Sequence, residues 1–202
     1  ITDYTSKNAI NVDDLTKDDI VAVIYAQGEI NGGEGDVDYI GEGSINRSLK
    51  EAREDKDVKA IVLRVDSPGG SALTSELIWR EIELTKKVKP VVVSMGNYAA
   101  SGGYYISCNA NTIFAEETTI TGSIGVFSVV PNITGFMKNK LGITFDGVKT
   151  ATYADAPTAT RPLNTMEQKM LQSGVDSIYH TFKSRVAKGR KKSIEYIDSI
   201  AQ

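Results

Sequence analysis

Ser101 stands in the run Tyr98-Ala99-Ala100-Ser101-Gly102-Gly103-Tyr104, and a second glycine pair closes the run Asp66-Ser67-Pro68-Gly69-Gly70. Acyl transfer needs a nucleophile exposed on a tight turn and two backbone N–H groups aimed at the oxyanion that develops. Glycine lets backbone and substrate approach closely enough for this. Ser101 is therefore a candidate nucleophile, with the amides of Gly70 and Gly102 as candidate donors. Other readings stay open on these residues alone. Serine is also a common helix N-cap, and a glycine pair after a strand also suits a phosphate or coenzyme loop, or a plain turn.

A Ser-His-Asp triad can be tested directly. The chain has one histidine, His180, set between Ile178 and Phe182 in a C-terminal apolar stripe. That setting reads as structural or surface, so the base of a serine hydrolase here would be a lysine. In a Ser-Lys dyad, a lysine kept neutral by desolvation takes the serine proton. The lysines are scattered over polar segments, and their placement singles none out. One histidine and one cysteine do not make a zinc set, so no metal is expected. Gly32-Gly33-Glu34-Gly35 lacks the strand-turn-helix context of a dinucleotide fingerprint, and no cofactor is expected. Cys108 excludes an internal disulfide and, within Tyr104-Tyr105-Ile106-Ser107-Cys108, reads as a buried, inert thiol.

Elements must place the two glycine turns together. The apolar runs Ile20–Ala26, Ala60–Val65 and Val91–Met95 read as buried strands, followed by Thr112–Ala115 and Ile143–Val148. Ser44 is the expected N-cap of a helix carrying Ile45, Leu49 and Ala52. A second helix follows Gly70, with Leu73, Leu77, Ile78 and Ile82 inward and Pro90 beyond its end. Gln27–Gly43 and Lys149–Pro162 read as loops, and Ile133, Phe136, Met137 and Leu141 as a helix. A long helix starts near Asn164, with Thr165 and Gln168 at capping-box spacing. Its apolar stripe is Met166, Met170, Leu171, Val175, Ile178, Phe182 and Val186. The basic run Lys188–Lys192 at its end reads as charge compensation. Strands alternating with helices imply a mostly parallel sheet flanked by helices. Sites in such sheets form at the carboxyl ends of strands, so both glycine turns should face one crevice.

The chain has 202 residues, 41% hydrophobic and 24% charged, with a net charge of −3. This suits one globular domain, and the net charge gives no reason to expect nucleic acid. The longest apolar runs fall far short of the roughly 20 residues that span a bilayer. Residues 1–19 read as a linker or arm and 20–202 as the domain, with both ends of the chain looking cut.

Taken together, Arg64–Gly70, Tyr98–Tyr104 and Thr121-Gly122-Ser123-Ile124-Gly125 resemble the signal peptide peptidase A (protease IV) family in order and spacing, from about Asp19 onward. The resemblance implies a crotonase/Clp-protease-like α/β fold. It implies Ser101 as nucleophile, Gly70 and Gly102 as the oxyanion hole, and Ser123 near the dyad, positioning the lysine amine. Single-domain members carry that lysine in a Gly-x-Tyr-Lys segment. The matching residues here are Ala151-Thr152-Tyr153-Ala154, so Ala154 stands in the lysine's place. This looks like the C-terminal half of the longer duplicated form, whose N-terminal half supplies the lysine. Lys149 is the alternative base within the chain, and the chain alone is expected to be inactive. The resemblance further implies peptide substrates left from signal peptides, a homo-oligomer, and attachment to the bacterial cytoplasmic membrane through an anchor outside this chain, with the catalytic part on the outer side. The family's usual segment after the last helix is also not seen before Gln202. The same residues admit two other functions: a crotonase-type enzyme acting on acyl-coenzyme A, although the Ser-Gly-Gly turn fits a nucleophile better, and a non-catalytic scaffold.

Overall fold

A computed structural model describes residues 19–201, so the expected arm before Asp19 lies almost entirely outside the described residues. The described chain forms two compact units. One comprises residues 19–123 with 185–201, and the other residues 124–184.

The first unit is built on strands β1 (Ile20–Gln27), β4 (Val58–Ser67) and β5 (Val91–Ala100). The short pair β2 (Glu29–Ile30) and β3 (Tyr39–Ile40) lies between β1 and helix α1 (Glu42–Glu54). Helix α2 (Ala72–Thr85) connects β4 to β5, and α3 (Gly102–Ser107) follows β5. Strands β6 (Thr112–Phe114) and β7 (Ile120–Gly122) complete the sheet. Every pairing is parallel, in the order β1-β4-β5-β6, with β7 also on β5. This is the expected parallel α/β architecture, of the crotonase/Clp-protease-like kind. Ile61, Leu63 and Val65 of β4 and Val91, Val93 and Met95 of β5 are buried with Ile45, Leu49 and Ala52 of α1 and Ile78 and Ile82 of α2. Their neighbours Val62 and Arg64 are half-buried, so burial alternates along the strand as the pleat requires.

Several local expectations change. Ser44 lies inside α1, which Gly41 caps without a side-chain bond. Leu73 and Leu77 are exposed, while Trp79 takes an inward position on α2. Gln27–Gly43 is not a bare loop, because Ile30 in β2 bridges to Gly70. Strand β5 runs five residues beyond the expected Met95 end, to Ala100.

The second unit holds the helical turn α4 (Thr134–Phe136), a π-turn over Met137–Leu141 and most of helix α5 (Thr165–Arg190). Ile143–Val148 is not a strand, and Val148 is fully exposed. Among the described residues no strand pairs with it, and an apolar run without a partner strand has nothing to extend against. The α5 cap lies one residue earlier than expected. Asn164 Oδ1 accepts from Glu167 N at 2.9 Å and Glu167 Oε2 accepts from Asn164 N at 2.8 Å, a reciprocal capping box. Within the expected α5 stripe, Phe182 and Val186 are buried but Met166, Met170 and Ile178 are exposed. The last turn of α5 belongs to the first unit, where Arg185 pairs with Glu76 at 2.5 Å and Lys188 with Glu83 at 2.8 Å, both on α2. Of the basic run, Lys188 thus pairs with a carboxylate of α2. Helix α6 (Ile194–Ile200) follows, capped by Ser193.

Candidate active site

Strands β4 and β5 are adjacent and parallel, with Ser67 paired to Ala99, so their carboxyl ends lie side by side. Gly69 and Gly70 follow β4 with φ of +100° and +147°. A β-carbon on Gly69 would lie 2.5 Å from Gly102 N and 2.8 Å from Ser101 Cβ. The two glycine turns therefore meet, as expected from the strand order. Ile30 fixes the first turn: its N–H donates to Gly69 O at 2.8 Å and its carbonyl accepts from Ser71 N at 2.7 Å. These bonds flank Gly70 and leave its own N–H facing away from Ile30, as a parallel bridge requires. Buried Ser67 also contributes, accepting from Gly69 N at 3.1 Å through Oγ.

Ser101 sits between β5 and α3 with φ 51° and ψ −119°. A side chain with a β-carbon rarely holds such a backbone, and strain of this sort costs on the order of 1–3 kcal/mol. Its surroundings impose it: Ser101 N donates to Gly122 O at 2.9 Å, and Tyr105 N donates to Ser101 O at 2.9 Å. Ser101 holds the N-cap position of α3, as the N-cap alternative has it, but its half-buried side chain makes no capping bond. Gly102 opens α3 in close quarters, since a β-carbon there would lie 2.7 Å from Ser75 Oγ and 3.1 Å from Ile30 Cδ1.

Ser123 also has a positive φ, 50°, and is exposed. It directly follows Gly122, whose carbonyl holds Ser101. Strand β7 brings it there through the pairing of Gly122 with Ala100, and Thr121 Oγ1 donates to Ala99 O at 2.9 Å. The first unit thus brings together Ser101, Gly70, Gly102 and the β7 end that carries Ser123.

Among the described residues, no hydrogen bond joins a lysine or histidine to Ser101. Lys149, in the second unit, is paired with Asp155 at 2.9 Å. Arg161 joins the same carboxylate at 2.9 Å and bridges to Glu167 at 2.6 Å. Hydrogen bonds from Arg161 and then Lys149 hold the Asp155 carboxyl well below the usual range. His180 is exposed on α5. Cys108 is fully buried, and burial pushes its thiol up to about 12, so the inert reading stands. No group of acidic, histidine or cysteine residues among the described residues could hold a metal ion, and no described helix is long and apolar enough to cross a membrane.

The sequence did not reveal the contributions of Ile30, Ser67 and Thr121. Ser67 could have been found, because a serine two residues before a glycine has the spacing of a local hydroxyl-to-amide turn. Ile30 reaches Gly70 across 40 residues and leaves no local signal.

Comparison with known proteins extends this geometry. Residues 83–202, which contain Ser101 and Ser123, match the profile of peptidase family S49. The chain is 44% identical to Protease 4 of Haemophilus influenzae over 183 residues, which are 90% of this chain and 29% of that protein. The identity to Protease 4 of Salmonella typhi is likewise 44% over 183 residues, again 90% and 29% of the two chains. A chloroplastic serine protease SPPA of Arabidopsis thaliana is 37% identical over 189 residues, 91% of this chain and 28% of the relative. The chain therefore spans less than a third of the length of these relatives. With the glycine turns, the strained serine and these matches in agreement, the chain belongs to peptidase family S49, among the signal peptide peptidase A (protease IV) proteins.

Proposed function

We propose that this chain is the nucleophile-bearing part of a serine endopeptidase of Ser-Lys dyad type. The observation that carries the reading is Ser101 itself. It holds φ 51° on a turn packed against Gly69, with a hydroxyl not spent on capping. Ser101 Oγ attacks the peptide carbonyl carbon while a lysine amine takes its proton. The carbonyl oxygen becomes an oxyanion that accepts from the N–H groups of Gly70 and Gly102. The C–N bond then breaks, and the departing amine takes the proton from the lysine ammonium. Water, deprotonated by the same lysine, hydrolyses the acyl ester and restores Ser101. Two preorganised amides of this kind stabilise the transition state by several kcal/mol, at about 2.7–4 kcal/mol per donor. Ser123 helps hold the lysine amine beside Ser101.

The lysine comes from another part of the full-length protein. Ala154 occupies the position where single-domain members carry it, and Lys149 is committed to Asp155. The substrates are cleaved signal peptides and other apolar peptides of the cell envelope. The full-length protein is a homo-oligomer attached to the bacterial cytoplasmic membrane, with its catalytic part on the outer side. It needs no cofactor and engages no nucleic acid.

The test is a serine-reactive phosphonate on the full-length protein, read by intact mass. One adduct is expected, absent from Ser101→Ala. Labelling that survives Ser101→Ala, or an unlabelled wild-type protein, would remove the nucleophile from this reading.

A further inference from the structure

Strand β5 is not uniform. Val65 of β4 pairs with Met95, but Ser67, two residues on, pairs with Ala99, four residues on. Gly96, Asn97 and Tyr98 therefore lie in a bulge with two extra residues. The bulge separates two pairings along one edge of β5. Val92–Ser94 pair with β6, and Tyr98–Ala100 pair with β7. The second pairing supplies the Gly122 carbonyl that holds Ser101 N. Bulges re-aim strands beside active sites at the expense of ladder hydrogen bonds.

Side chains replace those lost bonds. Arg64 donates to Met95 O at 2.7 Å, Thr119 Oγ1 donates to Gly96 O at 2.9 Å, and Asp66 Oδ1 accepts from Tyr98 N at 3.0 Å. The Asp66 carboxylate also fills the space over Gly96, where a β-carbon would lie 2.7 Å from Asp66 Cγ. Of the three, Asp66 holds the residue at which β5 resumes its ladder three positions before Ser101.

We propose that Asp66 is a positioning residue for the nucleophile. It fixes the β5 bulge by accepting the Tyr98 N–H, and so sets the backbone conformation in which Ser101 presents its hydroxyl. This rests on the reading of Ser101 as the nucleophile. The role requires an acceptor oxygen at Oδ1, not a negative charge, and that separates it from a general electrostatic effect.

The experiment compares second-order phosphonate labelling rates of the full-length wild-type protein with Asp66→Ala, Asp66→Asn, Gly96→Ala and Ser101→Ala. Thermal unfolding of each is recorded alongside. Asp66→Ala is expected to slow labelling about tenfold, the equivalent of losing one well-formed hydrogen bond. Asp66→Asn, whose amide oxygen still accepts, should stay within about threefold of wild type, and this conservative rescue is what a purely structural loss of charge would not give. Gly96→Ala displaces the carboxylate without removing it and should slow labelling as Asp66→Ala does. Wild-type rates in Asp66→Ala or Gly96→Ala, or an Asp66→Asn as slow as Asp66→Ala, would overturn the proposal. If Asp66→Ala gives no cooperative unfolding transition, Asp66→Asn against Gly96→Ala decides alone. Persistent labelling of Ser101→Ala would instead overturn the nucleophile assignment, an outcome distinct from those.

Discussion

At Gly70 the backbone leaves no room for a side chain, and that fact makes the candidate oxyanion hole open to a direct test. A β-carbon there would lie 2.1 Å from Ile30 O, at a φ of +147° that side chains rarely adopt. Gly70→Ala must therefore rotate the turn and swing its N–H off target. Losing one oxyanion donor costs about 10²–10³ in rate, so the phosphonate labelling rate of the full-length variant should fall by about a hundredfold. An unchanged rate would remove Gly70 from the hole. Cys108 gives a pH prediction at the same scale. Burial raises its thiol to about 12 in the folded protein, against about 8.5 for a free thiol. The neutral form is the one the fold accommodates. The stability tied to it is complete below about pH 8.5 and is lost as pH rises towards the folded value. Urea midpoints should be level from pH 7 to 8.5 and fall above that, with less fall in Cys108→Ala. At pH 8 the native thiol should resist a disulfide reagent that modifies it at once in urea. Rapid modification of the native protein would contradict the inert reading.

At the scale of elements, α5 depends on two anchors of different chemistry. Its last turn presses on the end of α3, since a β-carbon on Gly189 would lie 2.3 Å from Cys108 O. Gly189→Ala sets a methyl group against backbone that cannot yield, and overpacking of this sort costs about 1–3 kcal/mol. A lower urea midpoint with an unchanged slope is expected, and no loss of midpoint would mean that α3 and α5 can separate freely. The first turn of α5 is held by charge. Glu167, hydrogen-bonded first by Arg161 and then by the Asn164 amide, is held down to about 2. Its contribution is present above the usual carboxylate range and is lost as pH falls from about 4.3 towards about 2. Hydrogen exchange at 164–170 should therefore accelerate over that window, and Glu167→Gln should show the faster exchange already at neutral pH. These elements also show how far a sequence can be read. Strands β1, β4 and β5 were legible as continuous apolar runs, whereas β2 and β3 lay in a segment read as loop and the apolar run Ile143–Val148 forms no strand. The α5 cap slipped by one residue because Asn164/Glu167 and Thr165/Gln168 both satisfy the same spacing, and only Glu167 has Arg161 beside it to fix its carboxylate. The β5 bulge was not legible at all, since it arises from partners on β4 and before β7, and nothing within Val91–Ala100 announces it.

For the molecule as a whole, the question is where the proton of Ser101 goes. The proposed nucleophile and both candidate oxyanion donors were nominated from two short glycine-bearing runs, because those demands act on backbone geometry close in sequence. The base was not, because a lysine acts from any position the tertiary structure brings near. Lys149 is the sole candidate that the sequence nominated within the chain. Its amine is tied to Asp155, which Arg161 shares and links onward to Glu167 at the α5 capping box. Such a network orders the loop leading to α5 and holds the Lys149 amine at Asp155. In the full-length protein, Lys149→Ala should therefore label with phosphonate at a rate within about twofold of wild type, a change at the scale of a weak exposed ion pair. The 202-residue chain alone should show a cooperative unfolding transition and yet fail to label. Labelling of the isolated chain that disappears in Lys149→Ala would place the base inside it and end the two-part reading. A silent chain beside a reactive full-length protein would locate the base in the part of the protein that this chain does not span.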